Sequence, residues 1–237
     1  MFDESKLIFF TGAPGSKWSA VSNIIAKNKI TPINNSDYRD DRVYTHTSVP
    51  VQHLGAYWGP GNEHGHKFDQ LSSLSKEEIV SEIDAAYSDK TWDKYRIVKC
   101  HHFSLQLDYI KETFPLSKII LVIRTERNCF QGWKGAGGFE SITYPDYHTY
   151  YKNYDNLKTC IKQEVDAANK FVGQNNLKID VINRHYWKER WKIESKQEFD
   201  WFDFYMSSIE QNSPRQLNEF TYRFKYDVNI SSYNFKE

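Results

Sequence analysis

Chemistry-bearing side chains in this chain gather at the ends of apolar runs. Residues 96–124, RIVKCHHFSLQLDYIKETFPLSKIILVIR, contain one run that stops in Lys99-Cys100-His101-His102 and a second that stops at Arg124. If both runs are parallel strands, their carboxyl ends border one crevice, because open α/β sheets bind ligands outside those ends. An imidazole with its ordinary pKa of about 6.5 can take a proton from an attacking hydroxyl. An ammonium two residues earlier can neutralise charge on a transferring group, and a guanidinium fork fits a phosphate. Nearer the start, LIFFTGAPGSKWSAVSNIIAK sets a Gly/Pro/Ser turn between an apolar run and an amphipathic pattern. Loops of that build hold anions with backbone N–H groups and a helix N-terminus. Gly12 to Ser19 occupies the frame G-x-x-x-x-G-K-[ST], but Lys17 stands at the second glycine and Trp18 at the lysine. Gly15, Ser16, Lys17, Trp18 and Ser19, with the helix's first N–H groups, are therefore the candidates for a terminal phosphate or phosphosulfate.

Each feature has a plainer reading. The loop can be a turn that only reverses the chain, His101-His102 a rim feature, and Arg124 half of an ion pair with Glu126 or Asp180. Their coincidence at successive strand ends favours a site for an anionic, phosphate-bearing ligand.

These residues need elements to hold them. Lys6 to Thr11 reads as a buried strand and Ser16 to Lys27 as a helix whose inner face carries Trp18, Val21, Ile24 and Ile25. Residues 31–67 are rich in Pro, Gly, Asn and His, with a short strand expected near 43–47, and look like a long functional loop. Ser75 with Glu78 three residues on signals a capping box and a helix to about Tyr87. Strands are expected at 95–100, 118–123 and 177–182, and helices at 105–114, after Arg124, and from 147 to 172. Continuous apolar runs fit parallel strands covered on both faces. Alternating strands and helices give a three-layer α/β sandwich with a mostly parallel central sheet. One domain of 237 residues is expected, with insertions at about 31–75 and 185–237 as a lid or acceptor wall.

Composition narrows the function. Lys and Arg total 31 and so do Asp and Glu, so no global field draws nucleic acid or a membrane surface. The three cysteines, Cys100, Cys129 and Cys160, are widely spaced and show no zinc pattern, which fits a reducing cytoplasm. No signal peptide or long apolar run is visible. Glu63, His64 and His66 sit in a polar loop and read as solvated rather than metal-binding, so no metal is expected; Tyr57, Trp58 and His64 are candidates for an acceptor pocket.

The order GAPGSKWS, RIVKCHHFSLQL, KIILVIRTERNCFQGW resembles the cytosolic-type sulfotransferases over residues 1–140. Arg96, Lys99 and His101 fall on that family's Arg, Lys and catalytic His in its R-x-x-K-T-H segment. The resemblance implies a P-loop NTPase-like fold and 3′-phosphoadenosine 5′-phosphosulfate as donor. Ser16 and Ser19 would hold the 5′-phosphosulfate, Arg124 the 3′-phosphate, and His101 would be the general base toward a small-molecule or glycan acceptor. Three departures stand out. The family's loop lysine falls on Gly15 with Lys17 two residues later, Trp18 replaces a threonine, and a phosphate-binding serine falls on Gly132 with Lys134 nearby. The rival readings are a P-loop kinase of a small metabolite, which would need a loop lysine and a strand-end aspartate for Mg²⁺, and a non-catalytic nucleotide-binding or interaction protein.

Overall fold

The computed structural model describes residues 1–26, 28, 30–36, 43–46, 49–52, 56–57, 70–135, 151–193 and 228–235. Within them, β1 (Leu7–Gly12) lies between β5 (Arg96–Lys99) and β6 (Lys118–Ile123) in a six-stranded sheet of order β4-β5-β1-β6-β8-β7. Here β4 is Ala56–Tyr57, β7 is Ile179–Val181 and β8 is Asn229–Tyr233. Strands β4, β5, β1 and β6 are parallel, whereas β8 runs against both β6 and β7. A separate antiparallel pair joins β2 (Val43–His46) to β3 (Val49–Gln52).

The continuous apolar runs are buried on both faces because successive side chains point opposite ways. Ile8 and Phe10 enter one core with Val21, Ile24 and Ile25 of α1 (Trp18–Ala26). Leu7 and Phe9 enter the other with Ile79 and Ile83 of α2 (Lys76–Ala86) and Ile110 of α3 (Leu107–Thr113). Helices thus cover both faces of the sheet, and each large apolar side chain so buried contributes about 1.5–3 kcal/mol. α2 starts where its capping box was read: Ser75 Oγ accepts from the Glu78 N–H, and the Glu78 carboxylate accepts from the Ser75 N–H. α4 (Glu126–Gly135) and the long α5 (Tyr154–Gln174) follow β6, and α6 (Arg184–Trp191) follows β7.

Two differences from the sequence reading have physical causes. The helix expected from 105 begins earlier, as a 3-10 turn over His101–Gln106 that becomes α3 at Leu107. Residues 229–233, placed by sequence in a C-terminal insertion, form β8 inside the sheet, between β6 and β7. Only Ile230 of NISSY carries a large aliphatic side chain, so the strand's place comes from its ladder with β6 rather than from alternation of its own. Trp187 and Trp191 of α6 pack into the core rather than lining a wall, and Trp201, Phe202, Phe204 and Tyr205 lie outside the described residues.

Candidate functional site

The carboxyl ends of β5, β1 and β6 lie side by side. Phe10 is in register with Lys99, and Gly12 with Val122 two residues before Arg124. The Cys100 N–H still donates to the Phe10 carbonyl at 3.2 Å, so β5 stays attached to β1 until His101 turns away. Lys99, wholly buried, alternates with Val98 and so shares Ile97's face, the one that also carries Phe10 and α1.

Beyond β1 the loop 12–18 is tightly wound. Gly15 (φ 80°) and Lys17 (φ 71°) are left-handed on either side of Ser16, whose N–H donates to the Ala13 carbonyl at 2.9 Å. Left-handed residues on both sides of Ser16 turn the chain sharply between β1 and α1. Lysine adopts left-handed backbone at a cost of about 1–3 kcal/mol, so packing must enforce it. The packing is visible at Gly15, where an added Cβ would lie 1.8 Å from the Cys129 carbonyl oxygen and 2.7 Å from the Trp133 nitrogen of α4. Arg124 braces the same contact, donating from Nη1 to the carbonyls of Gly15 (3.2 Å) and Asn128 (3.3 Å). Gly132 completes it, since a Cβ there would lie 2.6 Å from the Gly15 oxygen and 2.8 Å from Arg124 Nη1. Its lack of a side chain is what lets loop, arginine and helix meet. Ser16 Oγ is buried without a hydrogen-bond partner among the described residues, and the Lys17 and Trp18 side chains are also buried.

His101 lies beside the end of β1. Thr11 Oγ1, at the end of β1, donates to the His101 carbonyl at 3.0 Å, and Ser104 Oγ donates to the same oxygen. The His101 ring has both nitrogens engaged: Nδ1 lies 2.7 Å from Glu164 Oε1 and Nε2 lies 3.0 Å from the Tyr151 hydroxyl. All three side chains are buried. Burial disfavours every charged form, pushing Glu164 up to about 8 and holding His101 down to about 3. His102, whose ring centroid is 4.2 Å from that of His101, is likewise held down to about 3, by burial first and by His101 second. Burial thus favours the uncharged form of all three groups. His101, His102 and Glu164 each offer one donor atom, all within 4.8 Å of one another, and form the metal-capable group among the described residues. Borderline and oxygen-preferring divalent ions accept such nitrogen and carboxylate sets.

The sequence candidates thus divide. Gly15, Ser16, Lys17, Trp18, Arg124 and Gly132 share one contact region, and Lys99 and His101 adjoin it through β1. The Ser19 side chain lies outside the described set, as do Glu63, His64, His66 and Trp58. Arg124 is bonded to backbone carbonyls, and Asp180 pairs instead with Lys178 at 2.8 Å. Arg96 is at the far end of β5, bonded to Asp84 at 2.5 Å and to the carbonyls of Asp89 and Thr91, with its guanidinium over the Trp92 ring. It thus sits at the amino end of β5, away from the carboxyl ends beside which the loop lies. Glu164 and Tyr151 were not read from the sequence. Glu164 did leave a signal: with Leu157, Ile161 and Ala168 it falls on one buried stripe of α5, where a carboxylate does not belong for packing alone. Tyr151 precedes the helix and has no periodicity to mark it. No family model, curated protein or solved structure matches this chain.

Proposed function

We propose that the chain is a sulfotransferase, moving a sulfuryl group from 3′-phosphoadenosine 5′-phosphosulfate to a hydroxyl or amine of a small-molecule or glycan acceptor. Its β1–loop–α1 unit, flanked by parallel β5 and β6, acts in this reading as a P-loop NTPase-like donor site. One contact supports the proposal: the Thr11 hydroxyl, near the end of the strand that leads into the loop, donates to the His101 backbone carbonyl. That bond ties the turn after β5 to the end of β1, so in this reading the histidine and a group held in the loop share one end of the sheet.

The residues then divide the work. The loop's N–H groups, the buried Ser16 hydroxyl and Lys17 hold the phosphosulfate, and Arg124 holds the 3′-phosphate from the loop's flank. Lys99 offsets charge gathering on the sulfuryl and bridging oxygens, and His101 receives the acceptor's proton. Gly132 serves by close approach, so the role that the family gives to a serine at this point falls to Arg124.

Calorimetric titration with 3′-phosphoadenosine 5′-phosphate, beside ATP with Mg²⁺, tests the reading. Micromolar binding of the bisphosphate, lost in Arg124→Ala and weakened in Ser16→Ala, is the expected result. Preference for Mg·ATP would overturn it in favour of a kinase, and no response to either would indicate a non-catalytic protein. With an acceptor in hand, His101→Ala should lower turnover by about 10²- to 10⁴-fold while donor binding persists.

A further inference from the structure

Glu164 stands on the buried stripe of α5 between Ile161 and Ala168. A carboxylate taken out of water is costly unless hydrogen-bond donors or a cation satisfy it. Its Oε1 lies 2.7 Å from His101 Nδ1, while Oε2 is buried with no hydrogen-bond partner among the described residues. One ring nitrogen is thus set against a group with about four lone-pair sites. A second imidazole stands close by. His102 follows His101 in the 3-10 turn, where successive side chains diverge by about 120°, yet the two ring centroids are only 4.2 Å apart. The far side of the His101 ring is also engaged, since Nε2 lies 3.0 Å from the Tyr151 hydroxyl.

We propose that His101, His102 and Glu164 hold a divalent first-row transition-metal ion, which ties the turn after β5 to α5. Their ligand atoms lie within 4.8 Å of one another, and all three side chains are buried. In the loaded protein His101 Nδ1 and Glu164 Oε1 approach the ion to about 2.0–2.2 Å, and Oε2 is the carboxylate's second donor. Ligands of one such ion lie about 3.0–3.4 Å apart, so the set closes by at most about 2 Å from its 4.8 Å span. Two imidazoles and a carboxylate are the nitrogen and oxygen set that zinc, cobalt, nickel and iron(II) accept, whereas magnesium and calcium ask for oxygen alone. A ligating imidazole donates its other N–H to an oxygen, which fixes the tautomer. The Tyr151 hydroxyl is placed to accept that bond from Nε2, which leaves the Nδ1 lone pair for the ion.

Burial of the ligands makes the ion a structural tie between segments 63 residues apart. An ion that binds only the folded chain stabilises it by mass action. At a hundredfold excess of free ion over Kd, Tm should rise by about 5–11 °C. The site does not rest on the sulfotransferase reading. Where that reading holds, the ion is an inhibitor, because a His101 ligated at Nδ1 and bearing hydrogen at Nε2 has no lone pair for an acceptor's proton.

Titration of untagged, chelator-treated protein with cobalt(II) chloride, followed by visible absorption and calorimetry, tests the site. The expected result is a single bound ion per chain, a d–d absorption band and the rise in Tm. Glu164→Gln and His102→Ala should each abolish the band, and either decides the matter if the other does not fold. Tyr151→Phe removes only the outer acceptor and should weaken binding by about 10- to 100-fold. The double variant Glu63→Gln, His66→Ala should bind as the wild type does; loss of binding there moves the ion to that polar loop and overturns the proposal. So does a wild type that takes up no ion, or a band that survives both ligand substitutions. Bisphosphate titration of the same samples separates the two readings. Cobalt binding without bisphosphate binding keeps the metal site and removes sulfuryl transfer, and the reverse removes the metal site alone.

Discussion

Gly15→Ala tests whether the loop is clamped on α4 as the structure has it. At φ 80° an alanine is strained by about 1–2 kcal/mol. Its Cβ would fall 1.8 Å from the Cys129 carbonyl oxygen, which belongs to helix backbone and has no room to move, so the loop must lift away. Lifting it breaks the Arg124 bond to the Gly15 carbonyl, a charge-assisted bond whose loss costs about 1.5–3 kcal/mol. Together these give about 2.5–5 kcal/mol, which for a chain of this size lowers Tm by about 5–20 °C. Gly173→Ala is the control. It lies within α5, an added Cβ meets nothing within 4 Å, and alanine there should stabilise by about 0.5–1 kcal/mol, a rise of about 1–4 °C. Differential scanning calorimetry of the two variants beside the wild type should show shifts of opposite sign. A Gly15→Ala protein within about 1 kcal/mol of wild type would refute the packed loop, and with it the argument that Gly132 and Arg124 exist to hold it.

Two further outcomes follow from the burial pattern. Arg96→Ala removes a buried guanidinium bonded to Asp84 and two carbonyls and stacked over Trp92, and should cost about 3 kcal/mol, the low end for such pairs because Asp84 stays partly hydrated; urea unfolding measures it, and loss of bisphosphate binding with stability unchanged would show that Arg96 belongs to the site instead. The His101–His102–Glu164 cluster also gives stability a pH signature. Both histidines, lowered from 6.5 to about 3, contribute stability that is present above pH 6.5 and lost as pH falls toward 3. Glu164, raised from 4.5 to about 8, contributes stability that is present below pH 4.5 and lost as pH rises toward 8. Two groups outweigh one in the overlap, so the cluster's contribution peaks near pH 6.5. Urea midpoints should decline between pH 6.5 and 8 in the wild type and not in Glu164→Gln, and an equal decline in both would refute the raised carboxyl.

Local pattern was enough for the central strands and for the start of α2. LIFF, RIVK and KIILVI are short continuous apolar runs, and Ser75 with Glu78 closes its own hydrogen bonds within one turn, so strands β1, β5 and β6 and the start of α2 follow from neighbours in sequence. Glycine and proline after β1 marked a loop at a strand end, and the basic residues at two other strand ends marked its neighbours. Everything that depended on distant partners had to wait for the tertiary structure. β8 owes its place to a ladder with β6, more than a hundred residues earlier in the chain, and its own residues carry no clear alternation. Arg96 and Lys99 sit three residues apart on one strand and look equivalent in the sequence. Only the fold gives the first Asp84 as its partner at one end and buries the second beside Phe10 at the other. Glu164 showed as a misplaced carboxylate on an apolar stripe, but its partner was invisible: the hydrogen bond to His101 spans 63 residues and forms only when α5 is laid against the turn that follows β5. Sequence spacing sets what a side chain can do, and packing decides what it does it to.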